Sequence, residues 1–220
     1  MMRVLITAGP TYEPIDPVRF IGNRSTGKMG YALAEAFAAR GADVMLVSGP
    51  TQLQLQHPLI EVIAVQTADE MYAAATRIAP QADVWVFAAA VADYKPKSMA
   101  VNKIKKEGDT LTLELVKNVD IAATLGHLKR PEQFSVGFAL ETNDEETHAR
   151  AKLQRKNFDL IVLNSLRDAG AGFGHDTNKV TLLTAGGQMT IFDLKPKAEV
   201  ARDIVQTVLA SLSAIPTPHA

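Results

Sequence analysis

"RVLITAGPTYEPIDPVRFIGNRSTGKMG", Arg3 to Gly30, decides how this chain is to be read. Arg3–Ala8 is a short apolar run closed by Gly9, the pattern of a buried first strand. Gly22, Gly27 and Lys28 then match the G-x-x-x-x-G-K spacing of a phosphate-binding P-loop. The match fails at the next position, where Met29 replaces the Ser or Thr whose hydroxyl would hold magnesium. A P-loop also follows its strand directly, whereas Ala8 lies well upstream of Gly22, and "VWVFAAA" (Val84–Ala90) offers no acidic partner. The dinucleotide fingerprint fails as well. G-x-G-x-x-G should follow the first strand, and the sequence there is "TAGPTYEP". No acidic residue closes the second strand at "MLVSGP", and Tyr94 is followed four places on by Ser98 rather than Lys.

The physics of the segment outlives both failed patterns. Ser25, Thr26, Gly27 and Lys28 stand at the start of a helix expected from Thr26 to Arg40, with Leu33, Ala34, Phe37 and Ala38 as its apolar face and Gly41 as its stop. Free N–H groups and the positive dipole end at such a start favour an anion, and Gly27 and Gly30 let a phosphate approach the backbone. Ser25 or Thr26 would equally serve as a helix cap with no ligand. Between strand and helix lies a long turn-rich loop with prolines at 10, 14 and 17, of the length that is functional or disordered.

Outward from this unit, strands and helices alternate. "ADVMLVSG" and "LIEVIAV" read as strands, and "TADEMYAAATRIA" as a helix with Thr67 and Glu70 in a capping box. "ADVWVFAAAVADY", Ala82–Tyr94, holds a fourth strand whose continuous apolar run suits a parallel strand covered on both faces. After Tyr94 the pattern changes. "KPKSMAVNKIKKEGDTLTLELVKN" reads as a β-hairpin around "EGDT", "VDIAATLGHLK" as a helix and "FSVGFALE" as a strand. "NDEETHARAKLQRKN" is a charged helix, "FDLIVLN" a strand, and "KVTLLTAGGQMTIFDL" a hairpin turning at Gly186-Gly187. "KPKAEVARDIVQTVLASL" closes as an amphipathic helix. The expectation is an α/β, Rossmann-like doubly wound and mostly parallel sheet with additional β-hairpins. It forms a single domain over 1–220, with a nucleotide-binding βα half at 1–94 and a flap hairpin with the remaining elements at 95–220.

Composition narrows the function classes. Hydrophobic residues make up 47% and charged residues 21% of the 220, an ordinary globular balance. The net charge of −1 provides no global field for a nucleic-acid backbone. Cysteine is absent, which removes disulfides, thiolate nucleophiles and Cys-based metal sites and fits a reducing cytoplasm. "MMRVLITAG" reads as a strand rather than a signal peptide, no apolar run approaches a membrane span, and "SAIPTPHA" reads as a frayed end.

Further candidate residues cluster around the fourth strand and the basic segments. Ala88, Ala89 and Ala90 leave room for a flat ligand at a strand end, and Asp93 beyond them suits a cation, a ribose or an exocyclic amine, or else a turn. In "NKIKK", strand geometry puts Lys103 and Lys105 on one face and Lys106 on the other. They read either as guards of an edge strand or as a mobile basic flap over phosphates. Lys152 and Lys156 share one helix face, solvated or ligand-facing.

Together "TAGPTYEPIDPVRFIGNRSTGKMG", "AAAVADY", "NKIKK", "LVKNVDI", "VGFALETN" and "RKNFDLIVLN" resemble the bacterial phosphopantothenate–cysteine ligase family, in order and over nearly the whole chain. The resemblance implies a Rossmann-like enzyme that binds CTP without a P-loop. By that likeness, the turns at Gly9–Thr11 and at Ser25, Thr26, Gly27 and Lys28 form the triphosphate and substrate cradle. Asn23 positions 4′-phosphopantothenate and its activated carboxyl, with Ala89 and Ala90 beside it. Ala88, Ala89, Ala90 and Asp93 match nucleotide contacts, as do Asn118, Val119, Asp120, Ile121, Phe138, Lys152 and Lys156. Val119 replaces the family's usual Pro, a change that a backbone contact survives. Lys103 matches the flap lysine tied to acyl-cytidylate chemistry. The implied reaction joins 4′-phosphopantothenate to L-cysteine through an acyl-cytidylate, with release of pyrophosphate and CMP, in coenzyme A biosynthesis. Mg²⁺ would be held mainly by the CTP phosphates, with Asp93 as a candidate ligand. The family is cytoplasmic and homodimeric and is often fused to a flavin-dependent decarboxylase, so this chain would be a free-standing ligase or an excised domain. A non-catalytic nucleotide-binding module and a Rossmann oxidoreductase are the rival readings, and neither nucleic acid nor membrane is an expected partner.

Overall fold

The computed structural model describes residues 1–106, 108–141, 144–165 and 174–214. In chain order the elements are β1 (Arg3–Ala8), β2 (Tyr12–Pro14), β3 (Phe20–Gly22), α1 (Lys28–Ala38), β4 (Asp43–Ser48), β5 (Ile60–Ala64), α2 (Ala68–Ile78), a 3₁₀ turn (Ala79–Gln81) and β6 (Val84–Phe87). There follow β7 (Tyr94–Pro96), β8 (Leu115–Lys117), α3 (Ile121–Leu128), β9 (Phe134–Glu141), α4 (Glu145–Arg155) and β10 (Leu160–Ser165). The chain continues through β11 (Thr177–Asn178), β12 (Val180–Thr184), β13 (Met189–Ile191), β14 (Lys195–Pro196) and α5 (Lys197–Ala214).

One eight-stranded sheet runs in the order β13-β12-β10-β9-β6-β1-β4-β5. The six strands from β10 to β5 are parallel and follow the doubly wound order, with β1 and β6 as central neighbours where the winding reverses. β12 and β13 extend one side antiparallel, as a hairpin through Gly186-Gly187. β6 pairs with β1 on one side and β9 on the other, so strands from 1–94 and from 95–220 share one sheet.

Both faces of the sheet are covered, which explains the near-continuous apolar strands. Val4, Ile6, Val44, Leu46, Val86, Val136 and Val162 pack with Phe37 of α1 and Ile204 and Val208 of α5. On the other face Leu5, Trp85, Phe87 and Ile161 pack with Met71 of α2, Leu125 of α3 and Leu153 of α4. The capping box of α2 forms as read: the Thr67 side chain accepts from the Glu70 N–H, and the Glu70 carboxylate accepts from the Thr67 N–H.

Two expected elements differ. The loop after β1 contains a small hairpin, with β2 and β3 paired antiparallel and Tyr12 stacked on Phe20. The hairpin proposed for 95–118 survives only at its base, where Tyr94, Lys95 and Pro96 pair with Lys117, Val116 and Leu115. Lys103–Lys106 are in no strand, so the expected sharing of faces does not hold. Residues 215–220 of the expected frayed end lie outside the described residues. No helix among the described residues is long and apolar enough to cross a membrane.

Gly30 lets α1 approach β1. A Cβ there would stand 2.4 Å from the Cβ of Ala8 and 3.2 Å from its Cα, both in the core. Gly30→Ala is therefore expected to push the first turn of α1 off the sheet and to cost about 1–3 kcal/mol of stability. Chemical denaturation with an unchanged m-value checks this.

Candidate functional site

A cleft of about 740 Å³ lies across the carboxyl ends of the central strands. Thr7 of β1, Phe87 of β6, Phe138 to Leu140 of β9 and Asn164 of β10 contribute to its wall. It thus occupies the crevice beside the reversal between β1 and β6, where open α/β sheets bind ligands.

One wall is the start of α1. This helix begins at Lys28, two places later than read, and its N-cap is Gly27 with φ 80°. Neither Ser25 nor Thr26 caps it, and no side-chain cap bond is present among the described residues. The Ser25 hydroxyl instead accepts from the N–H of Gly27 at 3.3 Å, and the Thr26 carbonyl accepts from the Thr51 hydroxyl at 2.9 Å. The left-handed turn is what a Cβ-bearing residue avoids, so Gly27 sets the helix start and leaves its first-turn N–H groups without a side-chain acceptor. The reading of Ser25 or Thr26 as the helix cap therefore does not hold.

The floor is the run from Ala88 to Asp93. The fourth strand was expected within Ala82–Tyr94, with the small residues at its end and Asp93 just past it; β6 ends at Phe87, before those residues. Beyond it the backbone leaves the ladder and is held by side chains from other elements. Asn23 Nδ2 donates to the carbonyls of Ala90 at 2.9 Å and Val91 at 3.2 Å. The Thr11 hydroxyl accepts from the Ala92 N–H at 3.0 Å, and Asn118 Nδ2 donates to the Ala92 carbonyl at 2.8 Å. Ala90 also pairs with the chain at Pro10, its N–H bonding the carbonyl of Gly9 at 2.9 Å. A non-ladder run needs such partners for its backbone groups, and here they turn a strand end into a platform.

The far wall is built by α3 and α4. Asp120 caps α3 through the Ala123 N–H at 3.0 Å and accepts from Lys156 Nζ at 2.9 Å. Burial pushes its carboxyl up, but the Lys156 bond and then the Ala123 N–H outweigh this and leave it below the usual carboxylate range. Lys152 and Phe138 complete this wall. Across the cleft, Asp176 accepts from Lys28 Nζ at 2.6 Å, and that bond holds its carboxyl low.

Of the residues singled out in the sequence, Asn23, Ser25, Thr26, Gly27, Lys28, Ala88, Ala89, Ala90, Asp93, Asn118, Val119, Asp120, Ile121, Phe138, Lys152 and Lys156 all line this cleft. Gly9 and Lys103 do not. Gly9 lies beneath the floor, with φ 74° and its carbonyl bonded to Ala90. Lys103 is exposed on the segment that leaves β7. The sequence reading missed Lys117, Asn164, Asn178 and Lys197, which line the cleft too. It also missed Asp16, a buried carboxylate in the loop that joins β2 to β3.

Asp16 ties Lys103's segment to the fold. Its Oδ1 accepts from the N–H groups of Val18 and Arg19 at 2.9 Å, and its Oδ2 from Arg19 Nε and the Ile104 N–H at 3.1 Å. Arg19 in turn donates to the Ile104 carbonyl at 3.1 Å. The Arg19 bond is the chief cause that holds the Asp16 carboxyl far below the usual carboxylate range. A depressed native pKa gives stability that is complete above the ordinary Asp value of about 3.9. It is lost as pH falls through the native value. Asp16→Asn would aim an amide N–H at donors, so we expect a lower Tm at neutral pH. The gap from the unmodified protein should shrink in acid, as a pH series of melts would show.

Fold and site define a class: a doubly wound α/β domain with a large cleft at its switch point, walled by cations and a helix start without a side-chain cap. Within that class, the chain belongs to the family of the DNA/pantothenate metabolism flavoprotein C-terminal domain, which it matches over residues 1–212. It is 49% identical over 207 residues to the coenzyme A biosynthesis bifunctional protein CoaBC of Bacillus subtilis (strain 168), covering 94% of this chain and 51% of that protein. It is 51% identical over 207 residues to a cysteine/cysteine sulfinic acid decarboxylase of an unknown prokaryotic organism, covering 94% of this chain and 58% of that protein. The crystal structure of the C-terminal domain of a CoaBC protein is similar at a TM-score of 0.82 and 42% identity, covering 96% of both chains. The chain spans about half the length of the curated relatives it matches.

Proposed function

We propose that this domain ligates 4′-phosphopantothenate to L-cysteine at the expense of CTP, as a step of coenzyme A biosynthesis. The observation that carries the reading is the meeting of the uncapped α1 start and Lys28 with the Asn23-tied platform in a single cleft. Membership of a family whose relatives include coenzyme A biosynthesis proteins supports the choice of substrates.

In the first step the carboxylate of 4′-phosphopantothenate attacks the α-phosphorus of CTP, and the bond to pyrophosphate breaks. In the second, the amine of cysteine attacks the acyl carbon of the acyl-cytidylate, loses a proton and expels CMP. A carboxylate is a poor acyl donor, and the cytidylate supplies the leaving group. The protein's share is positioning and charge stabilisation. The N–H groups at the start of α1 and Lys28 would meet phosphoryl oxygens. Asn23 would exchange an N–H from the platform to the acyl oxygen. Lys103 would arrive with its segment over the phosphates.

Mg²⁺ would enter on the CTP phosphates and offset their charge. The carboxylates that line the cleft are Asp93 and Asp120, and Asp120 is already paired with Lys156. Among the described residues no group of three or more His, Asp or Glu side chains could hold a metal ion. A cytoplasmic homodimer, working with a flavin-dependent decarboxylase, completes the proposal. Exposed Val18, Phe20, Tyr94 and Leu115 on the two small hairpins offer apolar surface to a second copy.

The test is a substrate matrix. CTP, ATP, GTP and UTP are each supplied with 4′-phosphopantothenate, with and without cysteine, and pyrophosphate and nucleoside monophosphate are followed. Pyrophosphate from CTP before cysteine is added, and CMP only after, is the expected pattern. CTP binding with no pyrophosphate would favour a non-catalytic nucleotide-binding module.

A further inference from the structure

Two asparagines hold the floor of the cleft from opposite ends. Asn23 takes the carbonyls of Ala90 and Val91. Asn118 takes the next two: its Nδ2 donates to the Ala92 carbonyl at 2.8 Å, and its backbone N–H to the Asp93 carbonyl at 2.9 Å. The pairing of β7 with β8 brings it there, since Lys117, one place before it, lies opposite Tyr94, one place after Asp93. Two places on, Asp120 caps α3. Asn118 therefore stands where the floor meets the far wall, and it lines the cleft.

Its amide is only half used. The bond from Nδ2 fixes which way round the amide sits, because a reversed amide would set Oδ1 against the Ala92 carbonyl, two acceptors face to face. Oδ1 is thereby committed to the other side, where it is buried and accepts from no donor. An orphan acceptor of this kind costs about 1–3 kcal/mol. The tie to Ala92 accounts for the donor half of the side chain and leaves the acceptor half without a structural task. The neighbours Tyr94 and Val119 both line the cleft and are 45% and 40% exposed. Side chains so exposed change rotamer in picoseconds to nanoseconds, so a ligand seated against this wall can turn them aside and reach the oxygen.

A nucleotide whose phosphates lie against the α1 start extends its base towards the far wall, where Asn118 stands. Cytosine presents an exocyclic amine at the position where uracil presents a carbonyl oxygen. An acceptor facing that position gains a hydrogen bond from the first and meets a second acceptor in the other, and a site built on such a bond rejects the analogue that lacks it. We propose that Asn118 sets the base preference of the cleft, its Oδ1 accepting from the exocyclic amine of the base. This rests on the CTP-dependent reading above and adds to it a physical cause for choosing CTP over UTP. The same oxygen would serve an amine on a purine, so it selects amino over oxo and not pyrimidine over purine.

The test titrates the whole chain with CTP and with UTP by calorimetry, magnesium being present in both. The unmodified protein should bind CTP about tenfold or more tighter than UTP, the difference of one hydrogen bond to a buried acceptor. Asn118→Ala removes the tie and the acceptor together, and the preference should fall by about tenfold or more, chiefly through weaker CTP. Asn118→Asp loses the donor to Ala92 but keeps an oxygen in place of Oδ1, so it should weaken both nucleotides and retain the preference. The proposal is overturned if the unmodified protein binds CTP and UTP equally. It is also overturned if Asn118→Ala weakens both by the same factor, the result of a structural tie alone, or if Asn118→Asp loses the preference. An Asn118-dependent preference for CTP with no pyrophosphate released on adding 4′-phosphopantothenate would instead refute the ligase reading and leave the base contact standing.

Discussion

Asn23→Asp is expected to let pyrophosphate leave at a near-normal rate but to cut amide formation by about 10²–10³-fold, the effect of losing one donor to an oxyanion. In the resting site both N–H groups of Asn23 are engaged by the carbonyls of Ala90 and Val91. A carboxylate at the same place has no N–H to offer. It would face those two oxygens as a third acceptor and would meet the developing negative charge on the acyl oxygen with more negative charge. The first step puts its new charge on phosphoryl oxygens, near Lys28 and the α1 start, and should be spared. Trapping the acyl-cytidylate from Asn23→Asp with CTP and 4′-phosphopantothenate, then adding cysteine, separates the steps. Amide synthesis at the unmodified rate would refute the role. An equal loss of pyrophosphate release would show that Asn23 serves only as a tie for the platform.

That prediction depends on a feature the sequence hides. The apolar periodicity located all six parallel strands, the Thr67–Glu70 pair marked the start of α2, and Gly186-Gly187 marked the turn of the outer hairpin. Those signals are local, and local pattern is what a single sequence reports. The end of β6 is not local. "VWVFAAAVAD" has one apolar character throughout, and the strand stops at Phe87 because Asn23, Thr11 and Asn118 take over its backbone bonds from far along the chain. The hairpin β2–β3 escaped notice because its prolines argue against strand, although such short, isolated pairs tolerate them. Lys197 in "KPK" reads as a surface helix start; its burial comes from the pairing of β11 and β14, which no spacing announces. Asp16 in "IDP" reads as a turn residue, and its second role, to the N–H of Ile104, is set by tertiary contact.

Lys103→Gln is the sharper test of whether the segment after β7 acts in catalysis, because Lys103 does not line the resting cleft. The ends of that segment are clamped together by β7 and β8, directly beyond the platform. Ile104 is bonded to Asp16 and Arg19, and Ala100 to the Ile15 carbonyl at 2.9 Å, so the strip beside Lys103 has a fixed base from which a long side chain can reach. A contact made only as charge builds on the phosphoryl oxygens lowers the barrier without tightening substrate binding. Lys103→Gln should therefore slow pyrophosphate release by about 10²-fold or more and leave the CTP dissociation constant nearly unchanged. A loss confined to KM would make Lys103 a ground-state binding residue, and unchanged pyrophosphate release would remove it from the chemistry. Asp16→Asn supplies the companion measurement. It keeps the ammonium and loosens its base, so its rate should fall less than that of Lys103→Gln, and the two losses should not add when combined, since residues that share one interaction are not independent.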